Sequence, residues 1–481
     1  MKITMNQTSS PEKRPVWTWS AREIAAQVRS GQMTATAVID AHLERINFVN
    51  PSVHALTVVF TEQSRALAQE IDRRISQGDS VGALAGVPFS VKENLDLTWS
   101  ATTDGWSHLS NAVPSTNATV VQRMLDAGAI PIGRGNMPPK GLRWDTDNEL
   151  FGRTYNPWAR DRVAGGSSGG DAVAIATGMV SFGLGNDYGG SLRLPAYAGG
   201  VCALRPSAGR VPIGMPPGEP VAMTGQLFAV NGPIARTIDD LDTAFALMNG
   251  ADGIDPLALT IPHPDHYEGL RAAAVVRNPL GWGVDREVAH AIDQAADALV
   301  NAGWEIEDIE PPFLEEAANL WRELSVTELA GLFAPGVLPA PMDTDATAYC
   351  VDNASETKLL DSVEAYSNGW GRRYLVAAAW EKFQSRHPVI LGPVSARRMP
   401  RIGYDLSGPE ATTQLWRDHR LLVSVNLLGL PSVALPTGLD ADGIPSGVQL
   451  IGPRNGEHVA LAAARDVFAA LGSPAPVDPR Q

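Results

Sequence analysis

Residues Gly165 to Arg193 read GGSSGGDAVAIATGMVSFGLGNDYGGSLR, and their pattern decides the fold. A loop of glycine and serine (165–170) opens into an apolar stretch of helical length (171–179). A second apolar stretch (180–187) has the length of a buried strand and turns through Gly189 and Gly190 into Ser191. Loop, helix, strand and glycine turn in succession point to an α/β architecture with helices packed over a sheet. Working upstream, 118–129 reads as a helix and 130–133 as a short strand. Residues 86–92 alternate, with Val87, Phe89 and Val91 on one face and Pro88, Ser90 and Lys92 on the other, which predicts a strand.

Further out the same pattern continues. Ser20 with Glu23 fits a capping box at the head of a helical region that runs to about Asn47 and breaks near Ser30-Gly31. Residues 61–77 predict another helix, and 430–436 and 448–452 core strands. Residues 455–471 predict a closing helix stopped by Gly472. The apolar run 421–436 is interrupted by Ser424, Asn426, Gly429, Pro431 and Ser432, so it reads as a buried strand with its turns and not as a membrane span. Residues 265–420 carry clustered tryptophan and charge and predict a helical insertion or cap that shapes a pocket. The expected organisation is a loose tail (1–15) and a single domain (16–481), with its core in 80–250 and 421–471.

The chain has 481 residues, a formal charge of −15 and 44% hydrophobic residues, an ordinary globular composition. The acidic balance and the lack of a Lys/Arg cluster argue against a nucleic-acid partner. Cys202 and Cys350 have no neighbouring Cys or His at zinc spacing, so no structural metal is expected. The polar first fifteen residues contain no apolar core of a signal peptide. A cytoplasmic protein, off the membrane, is the expectation.

Three segments concentrate the chemistry: 86–94 around Lys92, the 165–170 loop, and 185–193 around Ser191. In the last, glycines let successive backbone N–H groups converge beside a hydroxyl, the arrangement that holds an oxyanion next to its nucleophile; a plain tight turn has the same composition. The 165–170 loop lacks the lysine of a phosphate loop. Its Gly166-Ser167-Ser168-Gly169-Gly170 also fits a nucleophile elbow centred on Ser168, but the residues before it do not make the required strand. A strand-end lysine is ordinarily a surface residue; if buried, its pKa falls and the neutral amine becomes a base.

Together these segments resemble the amidase signature family, over 86–206 and again at 232–236 and 429–431. The resemblance implies a mixed twisted sheet covered by helices on both sides and a triad with Lys92 as base, Ser167 as bridge and Ser191 as nucleophile. It implies acyl transfer through an acyl-enzyme, with no metal or organic cofactor. Backbone amides of Tyr188, Gly189, Gly190 and Ser191 are candidates for the oxyanion hole. Asn186 and Tyr188 stand where the family usually has threonines, and Gly135–Lys140 departs from its usual text. Met137, Trp144, Trp321, Arg193 and Arg210 are candidate substrate contacts; for the arginines a structural ion pair or a surface position is the plainer alternative. Residues 208–219 form a Gly/Pro-rich stretch read as a candidate loop over the site.

The expected substrate is a small or aryl amide, or a carbamate as in urethanase-like members. The protein is expected to be a monomer or homodimer. Two alternatives differ in kind: the glutaminase subunit of a tRNA-dependent amidotransferase, which needs partner subunits, and a non-enzymatic scaffold of the same fold.

Overall fold

The computed structural model describes residues 14–214, 221–332 and 336–480; most of the expected tail (1–13) and part of the expected loop (215–219) lie outside them. Among the described residues eleven strands form one sheet. In chain order they are β1 Leu56–Val59, β2 Pro88–Lys92, β3 Ile130–Gly135, β4 Phe182–Asn186, β5 Cys202–Arg205 and β6 Asn231–Ala235, then β7 Ala272–Val275, β8 Glu305–Asp308, β9 Val389–Pro393, β10 Ser432–Leu439 and β11 Pro445–Ile451. Their order across the sheet is β1-β3-β2-β4-β6-β5-β10-β11-β9-β7-β8. β2 runs parallel to both β3 and β4, β7 parallel to β8 and β9, and the remaining neighbours are antiparallel.

The alternation of β2 is realised with both faces covered. Phe89 stacks on Phe182 of β4 at 5.2 Å between ring centroids. From the other face Ser90 donates to Asp171 (2.6 Å), which the Gly169–Ala176 helix lays across β2, β3 and β4. The Arg193–Gly199 helix continues that layer over β5, β10 and β11. The Ile238–Met248, Arg286–Asn301 and Glu457–Leu471 helices pack against one another and against the strands between β6 and β9. Burial on both sides explains why strands such as β4 and β9 are largely apolar with few polar positions, whereas β8 at the sheet edge is charged and mostly exposed.

The predicted capping box is present: Ser20 accepts from the Glu23 amide, and Glu23 accepts from the Ser20 amide. Two expectations are corrected. The stretch 265–420 contains the Leu314–Leu332, Thr344–Ser355 and Val363–Gln384 helices, yet it also supplies β7, β8 and β9 to the sheet. Their runs, such as Ala272–Val275, are too short for periodicity to reveal. The run beginning at Leu421 is first a buried helix, Arg420–Leu428, and only then β10. A stretch buried on all sides loses the polar stripe that would mark it as helical.

Candidate active site

Parallel pairing places the C-terminal ends of β2 and β4 side by side, the usual location of sites in such sheets. Lys92 ends β2 and Asn186 ends β4. Lys92 is fully buried, with Nζ 2.6 Å from Ser167 Oγ and 2.6 Å from Asn186 Oδ1. Asn186 in turn donates to Asn94 Oδ1 (2.8 Å), which fixes its amide with the oxygen toward the lysine. Burial pushes the Lys92 amine below the ordinary lysine range, and the negative charges of Asp171, Asp104 and Asp187 pull it part of the way back. The same burial pushes the Asp171 carboxyl up.

Ser167 follows a cis peptide after Gly166. Its loop is tied to the nucleophile candidate by the Ser168 amide, which donates to the Ser191 carbonyl (3.2 Å). The Ser168 hydroxyl lies 3.4 Å from the Asn186 carbonyl, and no strand precedes it, so the elbow reading does not fit. Met137's methyl and the Ser167 hydroxyl flank Gly141, where a Cβ would come within 3.6 and 3.2 Å of them.

After β4 the chain passes through Asp187 and the two glycines. The Asp187 carboxylate accepts from the amides of Gly190 (2.8 Å) and Leu192 (3.2 Å), from the Arg193 guanidinium at both oxygens and from Asn426 (2.7 Å). Burial alone would raise this carboxyl; the charges of Arg193 and Arg205 and the Asn426 bond hold it well below the usual carboxylate range. Gly190 has φ +101, and a Cβ there would lie 2.3 Å from Leu422, so the turn admits only glycine.

The Gly190 amide is thus withdrawn from the candidate oxyanion donors, because Asp187 holds it. The amides of Tyr188, Gly189 and Ser191 have no acceptor among the described residues. Of the two readings of Arg193, the structural ion pair holds and the substrate contact does not. Its five N–H donors go to Asp187, Asn426, Gln449 and the Leu422 carbonyl, leaving none for a substrate carboxylate. Arg210 is buried and bound to Glu457 (2.9 Å), Asn249 (2.9 Å) and two backbone carbonyls, so it is no loop arginine reaching over the site.

Aromatic rings line the other side of the loop. Trp144 donates to the Gly189 carbonyl (2.9 Å) and Trp321 to the Tyr188 carbonyl (3.1 Å). Trp416 lies between them, 5.1 Å from each ring, and His419 packs on Trp144 at 4.3 Å. Burial pushes His419 down to about 3, so it is neutral. Tyr188 packs on Trp321 and Phe228, and its hydroxyl donates to Thr224 (2.8 Å).

Sequence reasoning misses Asp171 and Trp416, and it notes Asn186 only as a departure from the family's text. Asp171 has a visible signal, a lone acid on an otherwise apolar helix. Asn186 meets Lys92 only through β2–β4 register, and Trp416 comes from a helix more than two hundred residues away in sequence, Pro409–Asp418.

A family model for Amidase matches residues 37–461, most of the chain. The chain belongs to the Amidase family. This amidase is similar to the indoleacetamide hydrolase of Bradyrhizobium diazoefficiens, at 34% identity over 94% of this chain and 86% of that protein. It is also similar to a glutamyl-tRNA(Gln) amidotransferase subunit from Geobacillus kaustophilus, at 31% identity over 90% of this chain and 93% of that one. A solved bacterial aryl acylamidase of the amidase signature family superposes with a TM-score of 0.83 and 26% identity, over 95% of this chain and 97% of its own. The amidase is accordingly an enzyme of amide-type C–N bond hydrolysis. Among the described residues no helix is long and apolar enough to cross a membrane, and Cys202 and Cys350 are free thiols.

Proposed function

We propose that this amidase is a serine hydrolase acting through Ser191, Ser167 and Lys92 on small aryl or arylalkyl amides. The observation that carries the reading is a buried lysine 2.6 Å from Ser167, on a loop bonded to the backbone of Ser191. A neutral amine has two N–H bonds and one lone pair. An N–H donated to Asn186 Oδ1 leaves the lone pair for the Ser167 proton.

In the forward step Lys92 takes the Ser167 proton while Ser167 takes that of Ser191. The Ser191 oxygen bonds to the substrate carbonyl carbon, and the developing oxyanion is met by the amides of Tyr188, Gly189 and Ser191. Ser167 then returns a proton to the leaving amine as the C–N bond breaks, which makes a poor leaving group tolerable. Water, activated by the same relay, cleaves the acyl ester and restores the triad.

The aromatic bank of Tyr188, Trp144 and Trp321 beside the loop supports a flat, apolar substrate. So does the similarity to an indoleacetamide hydrolase and an aryl acylamidase. The test is nitroaniline release from matched acyl-anilide and aryl-carbamate substrates by wild type and Ser191→Ala. Cleavage of the anilide by wild type alone upholds the reading, and the carbamate rate places the enzyme relative to urethanases. A wild type inert on both, but active on glutamine with co-purifying partner subunits, moves the assignment to the amidotransferase class. Ser191→Ala retaining full activity overturns the triad.

A further inference from the structure

We propose that Trp321, carried on the Leu314–Leu332 helix, is a positioning residue that holds the Gly189 amide toward the reacting carbonyl oxygen; this rests on the serine-hydrolase reading above.

In a trans peptide the carbonyl of one residue and the N–H of the next point in opposite directions, so fixing one aims the other. Every carbonyl from Asp187 to Ser191 is held. Their donors are the Val230 amide (3.2 Å), Trp321 Nε1 (3.1 Å), Trp144 Nε1 (2.9 Å), the Leu194 amide (2.8 Å) and the Ser168 amide (3.2 Å). The two indole bonds look equivalent but are not. The Gly189–Gly190 peptide is held at both ends, by Trp144 on its carbonyl and Asp187 on its amide. The Tyr188–Gly189 peptide is held at its carbonyl only, by Trp321, and its amide is one of those left for an oxyanion. Without the indole N–H, no other group among the described residues fixes this plane, and Gly189 on one side of it turns freely.

A second observation ties the same helix to the same residue. The Tyr188 hydroxyl donates to Thr224, whose hydroxyl and amide both donate to Glu328. Trp321 and Glu328 lie two turns apart on one face of the helix. The Trp321 ring also lies against Gly189, where a Cβ would come within 2.7 Å of it. The helix therefore grips Tyr188 at backbone and side chain together and completes the oxyanion loop, beyond shaping a pocket.

The experiment compares Trp321→Phe with Trp144→Phe on the anilide that wild type cleaves best. Trp321→Phe lowers kcat about 10- to 100-fold with KM within about twofold, the signature of an interaction made only in the transition state. Trp144→Phe shifts KM through its place in the aromatic bank but lowers kcat less than about threefold, because Asp187 still holds its peptide. Affinity for a trifluoromethyl ketone, whose Ser191 adduct carries an oxyanion, falls in step with kcat/KM in Trp321→Phe. Replacing Trp321 with 3-benzothienylalanine removes only the N–H and gives the same loss, which separates the bond from packing if the phenylalanine variant is unstable. Equal losses of kcat in the two tryptophan variants, or a change confined to KM in Trp321→Phe, overturn the inference. An active wild type with Trp321→Phe unimpaired overturns it while leaving the hydrolase reading intact; a wild type inert on every amide overturns both.

Discussion

Lys92 occupies a position in which charge is costly. It is fully buried at the end of β2, and its amine touches a hydroxyl and an amide oxygen, neither of them anionic. In the proposed relay the reactive form is the neutral one, so kcat/KM is expected to rise with pH as the proton leaves, with burial setting that limb below the ordinary lysine range. A rate flat from acid to alkaline pH would contradict the role. Asp171 sharpens the expectation. Its negative charge raises the Lys92 pKa, so Asp171→Asn removes a stabiliser of the protonated amine and moves the limb to lower pH. A pH-rate profile displaced upward would show the coupling to have the other sign. Lys92→Met is expected to lose at least about a thousandfold in kcat at every pH, as for removal of one member of a relay that acts as a unit.

At the scale of elements, the β4 turn depends on one carboxylate. Asp187 gathers two backbone amides, Asn426 and Arg193, with Arg205 3.7 Å away, all buried. Asp187→Asn leaves two buried guanidinium groups without their anion, and is expected to cost about 3–5 kcal/mol in urea unfolding, along with activity. A loss below about 1 kcal/mol would mean the turn is held chiefly by its glycines. This dependence also explains how much of the site is legible in the chain itself. Through the resemblance of their short segments to the amidase signature family, and not from glycines or alternation alone, Lys92, Ser167 and Ser191 can be read. Their pairing partners cannot. Arg193 follows Ser191 by two residues and can be read as a ligand or an ion-pair partner, whereas its role is fixed by Asp187 together with Asn426 and Gln449, the last two more than two hundred residues away. The Arg420–Leu428 helix passes for a strand because complete burial erases the periodic contrast between faces. Trp321 can be named as a pocket candidate, but which carbonyl it holds depends on how a distant helix docks.

Across the whole molecule the last residues fasten the first layer. The Val477 amide donates to the Ala176 carbonyl (3.0 Å), and Arg45 joins the Thr177 carbonyl (2.7 Å) to Asp478 (2.6 Å). Arg480 donates to the Pro157 carbonyl (2.9 Å). Truncation after Leu471 uncouples the end of the Gly169–Ala176 helix and is expected to lower Tm by several degrees, read by calorimetry. A melt identical to that of the full chain would show the tail to be ornamental. The order of the strands has a different consequence. β10 lies beside β5 in the sheet, yet it is encoded more than two hundred residues later. At ribosomal rates of about 5–20 residues per second, β5 waits roughly 10–45 seconds with one edge unpaired. An open edge invites wrong partners during that interval. Asn426, which helps to hold Asp187, arrives just ahead of β10. A chain made only as far as β5 therefore lacks the Asn426 bond to Asp187, and the turn after β4 is complete only once the stretch just ahead of β10 has been added.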